Sequence, residues 1–219
     1  LPLHIGKLAT HIRGFSPGIV LRELSLDLPA SQQPPLALRE VRISINLLQL
    51  ALTQNPIASS KISLVGLETE IVRTTDNRIL IKGVPSSDAT PDWLLQGNHY
   101  EILQSRIGWQ DQKLQQPRIE FEQFNLVLKN HFLDGSHELH CMSRLPPQYG
   151  DQLRLSAKMT GNPFHPDSLE GDVYLEASNL QGPALADGKL PFQLHLDSGS
   201  GDLKIWSQWQ QGQPYHIDG

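Results

Sequence analysis

The stretch Ile62-Ser63-Leu64-Val65-Gly66-Leu67-Glu68-Thr69-Glu70-Ile71 decides the fold, because Ile62, Leu64, Leu67, Thr69 and Ile71 are spaced by two, then three, then two. Steps of two mark a β-strand with one buried face, since successive side chains leave opposite sides of the pleat. The step of three is the unusual element. In a regular strand it would send the second half of the apolar set to the other face, so a bulge or tight bend is expected inside the strand.

The same spacing recurs in Ile19-Leu21-Leu24-Leu26-Leu28, Leu36-Leu38-Val41-Ile43-Ile45, Tyr100-Ile102-Ser105-Ile107-Trp109 and Ile119-Phe121-Phe124-Leu126-Leu128. Bulges bend strands and raise their twist. Five such strands predict a strongly curled sheet with one almost purely aliphatic and aromatic face. Later segments alternate without the bulge: Leu153-Leu155-Ala157-Met159, Val173-Leu175-Ala177 and Phe192-Leu194-Leu196.

Turn chemistry punctuates the strands at Gly14 to Gly18, Pro29 to Pro35, Asp76-Asn77, Lys129-Asn130, Asp134-Gly135, Pro146 to Gly150, Gly161-Asn162-Pro163 and Asp187-Gly188. Many short strands between frequent turns predict an all-β antiparallel architecture. One or two short helices are expected. Thr90-Pro91-Asp92 opens one before Trp93-Leu94-Leu95, with a capping hydroxyl, a proline at the first helical position and an acid in the first turn. Leu47 to Leu52, after Asn46, fits either a second short helix, the preferred reading, or a continuation of the preceding strand. Residues 83–89 read as a flexible loop.

At 219 residues and 38% hydrophobic content, the chain is long enough for one folded unit. The formal charge of −5 is carried by singly scattered ions, which provides no basic stripe for nucleic acid. A lone Cys141 cannot form an internal disulfide, and within the strand 137–142 it reads as a small apolar residue. No run of about 18 apolar residues is present to cross a membrane. The first residue is Leu1 and the last residues follow a strand-like Leu203 to Trp206, so the expectation is a segment cut from a longer protein at both ends.

Catalytic and metal chemistry have little to stand on. His131, His137, His140 and Cys141 form the densest ligand cluster, yet on a strand His137 and His140 point to opposite faces, and the four-residue spacing of a helical zinc site is missing. Asp92, Glu101 and Asp111 are candidate acids that nothing pairs. No nucleophile elbow or phosphate-cradling loop exists. The expectation is a non-enzymatic protein without metal or cofactor. Trp206, Trp209 and Tyr215 would form a sugar platform only by sharing one exposed face; alternation in and out of the sheet is the preferred reading.

The bulged apolar face then has two readings: the core of a β-sandwich, or the lining of an open trough. A large uncovered apolar patch is rare unless it meets a ligand or partner. Acyl chains suit it, since each CH₂ removed from water gains about 0.8 kcal/mol without directional contacts.

In order, Leu3-His4-Ile5-Gly6-Lys7-Leu8, Gly14-Phe15-Ser16-Pro17, Val20 to Leu26, Leu64 to Arg73, Trp93-Leu94-Leu95, Glu101 to Asp111 with Trp109-Gln110-Asp111, Leu126 to Asn130 and Gly171 to Leu175 resemble the periplasmic portion of AsmA-like proteins, the YhdP group in particular. The resemblance covers essentially the whole chain. Two departures stand out: the family's amino-terminal membrane helix is absent, and Asp76-Asn77 replaces an Asp-Gly hairpin tip. The resemblance implies an elongated, taco-like β-groove held at the inner membrane of a Gram-negative envelope. It implies a part in phospholipid transport across the periplasm and in the outer-membrane permeability barrier, with outer-membrane or other envelope proteins as partners. Leu36, Leu38, Val41, Ile43 and Ile45, with Ile119, Phe121, Phe124, Leu126 and Leu128, are the expected groove lining. The alternative is a scaffold that binds proteins through its sheet edges and apolar face during envelope assembly.

Overall fold

The computed structural model describes residues 3–26, 36–76, 78–82, 93–115, 117–131, 134–162, 165–181 and 199–219. Thirteen strands form one sheet: β1 (Leu3–Arg13), β2 (Ser16–Leu26), β3 (Leu36–Ile45), β4 (Ser60–Val65), β5 (Glu68–Arg73), β6 (Ile79–Ile81), β7 (His99–Asp111), β8 (Ile119–His131), β9 (Ser136–Arg144), β10 (Gln152–Thr160), β11 (Glu170–Gln181), β12 (Ser200–Gln210) and β13 (Gln213–Asp218). Two short helices, α1 (Leu47–Thr53) and α2 (Trp93–Gln96), sit between strands. The sheet is open and curved, and 69% of the described residues lie in strands. It runs β1-β2-β3-β4-β7-β8-β9-β10-β11-β12-β13, with β5 beside β7 and β6 beside β5. Pairing is antiparallel except that β4 and β5 both lie parallel to β7.

The step of three has a definite structural basis. Glu23, Gly66, Gln104 and Gln123, each at the step of its strand, have φ of 56°, 69°, 50° and 49°. Such left-handed residues are costly for side chains other than glycine, about 1–2 kcal/mol each. They lie on one line across the sheet. Flanking pairs set Gly6 beside Glu23 and Glu23 beside Arg39. A Cβ on Gly66 would lie 2.8 Å from the Arg39 Cβ, and Gly66 N donates to Leu103 O at 2.9 Å. Arg39 Nη2 donates to Gln104 Oε1 at 3.0 Å, and Gln104 N donates to Asn125 Oδ1 at 3.0 Å. The result is a transverse crease running through β2, the β4–β5 junction, β7 and β8.

The residues after Glu23, Gly66 and Gln104 are pressed into the crease, whereas Phe124 after Gln123 is half-buried. Leu24, Leu67 and Ser105 are 6%, 8% and 2% exposed. Ser105 interrupts an apolar set for a reason: its Oγ accepts from Leu67 N at 3.0 Å, satisfying an amide that the crease removes from the ladder. Ser143 does the converse, donating to Glu122 O at 3.0 Å beside the β8 bulge.

Several expectations are corrected. Lys129-Asn130 is not a turn; both residues continue β8, paired with Glu138 and His137, and the chain reverses at Asp134-Gly135. The side-chain amide of Asn130 is buried against Gly97 O, which keeps a turn-forming residue inside a strand. Val173-Leu175-Ala177 alternates as expected, but beyond it in β11 a register shift between Ala177 and Leu180, with Asn179 at φ 50°, repeats the step of three. Leu145, Ala177 and Leu180 form a small core with Phe121, Tyr149, Leu153 and Leu203 against it. The proposed loop at 83–89, the helix opening at Thr90-Pro91-Asp92, Asn77, and Phe192-Leu194-Leu196 fall outside the described residues.

Candidate functional site

Pairing registers decide which side chains share a face. Val41 pairs with Leu21 and Leu64, Ile43 with Ile19 and Ile62, and Ile62 with Tyr100. Leu128 and Leu126 pair with Tyr100 and Ile102 on one side and with Leu139 and Cys141 on the other. Leu155 and Ala157 follow, then Leu175 and Val173, then Ile205 and Ser207. One apolar face therefore extends from β1 to β12.

Among the described residues no second layer fills that face as a sandwich core would. Leu38, Val41, Ile43, Ile45, Ile119, Phe121, Phe124, Leu126 and Leu128 are all half-buried, and none is buried. Leu36 pairs with Leu26 through its backbone, and its side chain is not among those described. Phe121 also abuts the Leu145 core, so the two expected lining strands are not equivalent. Toward β1 the face opens: Ile19, Ile5 and Leu8 are 37%, 45% and 66% exposed.

Charges occupy the opposite face. Glu40 accepts from Arg22 Nε at 2.8 Å and pairs with Arg42; Glu101 meets Lys61 at 2.6 Å, Ser63 at 2.7 Å and His99 at 3.0 Å; Arg106 reaches Glu120 at 3.1 Å. Arg22 with Glu40, Lys61 with Glu101 and Arg106 with Glu120, far apart in sequence, are cross-strand neighbours in space. Hydrogen bonding from Arg42 lowers the Glu40 pKa despite the cost of burial. Burial raises that of Glu101, but Lys61 and Ser63 outweigh it and leave it lowered.

An ion pair, a histidine and a thiol sit among the apolar side chains. Arg73 pairs with the buried Asp111 and holds its carboxyl below the usual range, while Asp111 Oδ1 accepts from Leu114 N at 3.0 Å. His137 Nδ1 lies 2.7 Å from Asn130 Oδ1, and burial lowers its pKa. Cys141, between Leu126 and Leu155, is a free thiol that burial pushes up to about 11.

The remaining candidates are dispersed. Glu101 and Asp111 lie on opposite faces, and Asp92 is outside the described residues. His140 faces away from His137, 3.1 Å from Ser156 Oγ. Trp206 stacks near Tyr174 on the charged face, with ring centroids 4.9 Å apart, whereas Trp209 Nε1 donates to Ser207 Oγ at 2.9 Å on the apolar side. The sugar platform is thereby split between faces.

A sixth copy of the spacing, Leu3-Ile5-Leu8-Thr10-Ile12 in β1, escaped the sequence reading because Thr10 and the neighbouring Gly6 and His11 break its apolar run. The step of three between Ile5 and Leu8 was the available signal.

The model of the family described as YhdP protein matches residues 1–219. The chain belongs to the YhdP family. No curated protein and no solved structure matches it. Among the described residues, no helix of this YhdP-family chain is long and apolar enough to cross a membrane.

Proposed function

We propose that this YhdP-family chain is a non-enzymatic section of a lipid conduit in the Gram-negative periplasm, part of a longer protein held at the inner membrane. In this reading phospholipid acyl chains lie along the apolar face and headgroups stay in water. The observation that carries it is the continuous apolar face, whose side chains remain half-exposed along most strands. Exposed apolar area of this extent is costly without an occupant. Acyl chains are matched to it because their binding needs area and no directional partners. The ionic face opposite supports the same assignment, since it keeps the curved sheet wetted on its other side.

Ile43→Asp and Leu126→Asp test the reading. Lipid recovered with the purified chain is expected to fall at least tenfold in either variant while the melting transition is retained, because both residues are half-buried. Global unfolding by both changes would mark them as ordinary core and count against the conduit. One observation favours the scaffold alternative: β1 and β13 are edges without a described neighbour, open to strand addition. Binding of extended peptides in place of lipid would support it.

A further inference from the structure

Helix α1 is built inside out. No charged residue stands between Arg42 and Lys61 in the sequence, and the helix occupies the centre of that segment. Its polar side chains turn toward the protein: Gln49 Nε2 donates to Ala58 O at 3.0 Å, Asn98 Nδ2 donates to Gln49 Oε1 at 3.1 Å, and Thr53 Oγ1 lies 3.0 Å from Ser59 Oγ. Three of its four leucines turn out, with Leu47, Leu48 and Leu52 at 46%, 58% and 87% exposed, while Leu50 is half-buried. A helix on a water-soluble surface has the reverse arrangement.

The exposed leucines are not alone. Leu47 N donates to Phe15 O at 3.0 Å, which brings the β1–β2 turn beside the helix, and Phe15 is 67% exposed. Ile57, in the turn that follows α1, is 49% exposed. The cap is held firmly: Asn46 Oδ1 accepts from Leu48 N and Gln49 N at 3.1 Å, and Asn46 N donates to Ser59 O at 2.9 Å. Next to it, a cavity of about 470 Å³ gathers Arg13, Arg22, Arg42 and Lys61 against only Glu40 and Glu101.

We propose that this end of β1–β4 docks on an anionic phospholipid surface, with Phe15, Leu48, Leu52 and Ile57 entering the interface and the surplus cations facing the headgroups. Apolar side chains projecting from a neutral helix, bordered by basic residues, form the pattern of an interfacial anchor. The rigid cap reduces the ordering cost of insertion. This contact is separate from acyl-chain binding on the sheet face, so either can fail without the other.

The test is co-sedimentation of the 219-residue chain with vesicles of phosphatidylethanolamine and phosphatidylglycerol, and with vesicles of phosphatidylcholine alone. Binding is expected to the anionic vesicles, weaker with rising salt, and at least tenfold weaker in the double variant Leu48→Asp, Leu52→Asp. Arg13→Glu with Lys61→Glu is expected to reduce binding to anionic vesicles toward that to phosphatidylcholine. These side chains are exposed or part-exposed, and circular dichroism confirms folding. Absence of binding to anionic vesicles, or unchanged binding in the leucine variant, would overturn the proposal. So would a concentration-dependent dimer abolished by the leucine variant without vesicle binding, since the occupant would then be a second copy of the chain.

Discussion

At the scale of the residue, the fold depends on a few backbone positions that side chains would not choose. Gly66 has φ 69° and an added Cβ would stand 2.8 Å from two Arg39 atoms, whereas Gly135 has φ 65° and open space around it. Gly135→Ala is expected to cost about 1 kcal/mol from conformation alone, and Gly66→Val about 2–3 kcal/mol from conformation and contact together, measured by urea unfolding. Equal losses at the two sites would remove Arg39 from the account. Cys141 makes a chemical prediction. With its thiol at about 11 against an ordinary 9.0, the reactive thiolate is about 100-fold scarcer near neutral pH, so labelling by a disulfide reagent should be slower by that factor than for an exposed thiol. The histidines carry the pH dependence. Burial disfavours the charged form of His99, with Lys61 adding to the effect, and of His137, so each folded value lies below 6.5. Their contribution is complete above pH 6.5 and is lost as pH falls from there through the folded values, because only the unfolded chain then takes up the protons. His137→Gln should flatten part of the fall in unfolding midpoint between pH 7 and 5.

At the scale of the element, the crease unites features that look unrelated in sequence. Ser105 occupies an apolar position because its hydroxyl satisfies the Leu67 amide, and both residues are buried. Ser105→Ala is expected to cost about 1–3 kcal/mol by orphaning that amide, and to speed hydrogen exchange at Leu67. The spacing of two, three and two was legible as a bend, since one face can stay apolar across an odd step only if the backbone turns. It did not reveal that the bends align across neighbouring strands, because alignment is set by register. Nor did it reveal parallel pairing: β4 and β5 have the same two-residue period whether their neighbour runs with or against them. The α1 helix was legible from Asn46 and the leucine run, but its inverted orientation depends on Gln49 and Thr53 finding partners in the adjoining turn and at Asn98, just before β7.

At the scale of the molecule, a single curved layer replaces the two packed layers of an ordinary domain. Eleven strands side by side along the main path span about 48 Å at ~4.8 Å each. Solution scattering should give a radius of gyration clearly above the ~17 Å of a compact chain of 219 residues; a value near that figure would mean that the sheet closes on itself. Composition could bound the length and charge of the molecule, but not the separation of its two faces, which arises only when Arg22, Glu40, Lys61 and Glu101 pair across strands. The apolar half of that separation carries the functional claim. Its most direct test is to place photo-crosslinking residues at Val41 and Phe124, irradiate the chain in cells, and identify adducts by mass spectrometry after organic extraction. The conduit predicts phospholipid recovered with the chain and crosslinked at both positions, whereas a lipid-free chain without adducts at either would contradict it.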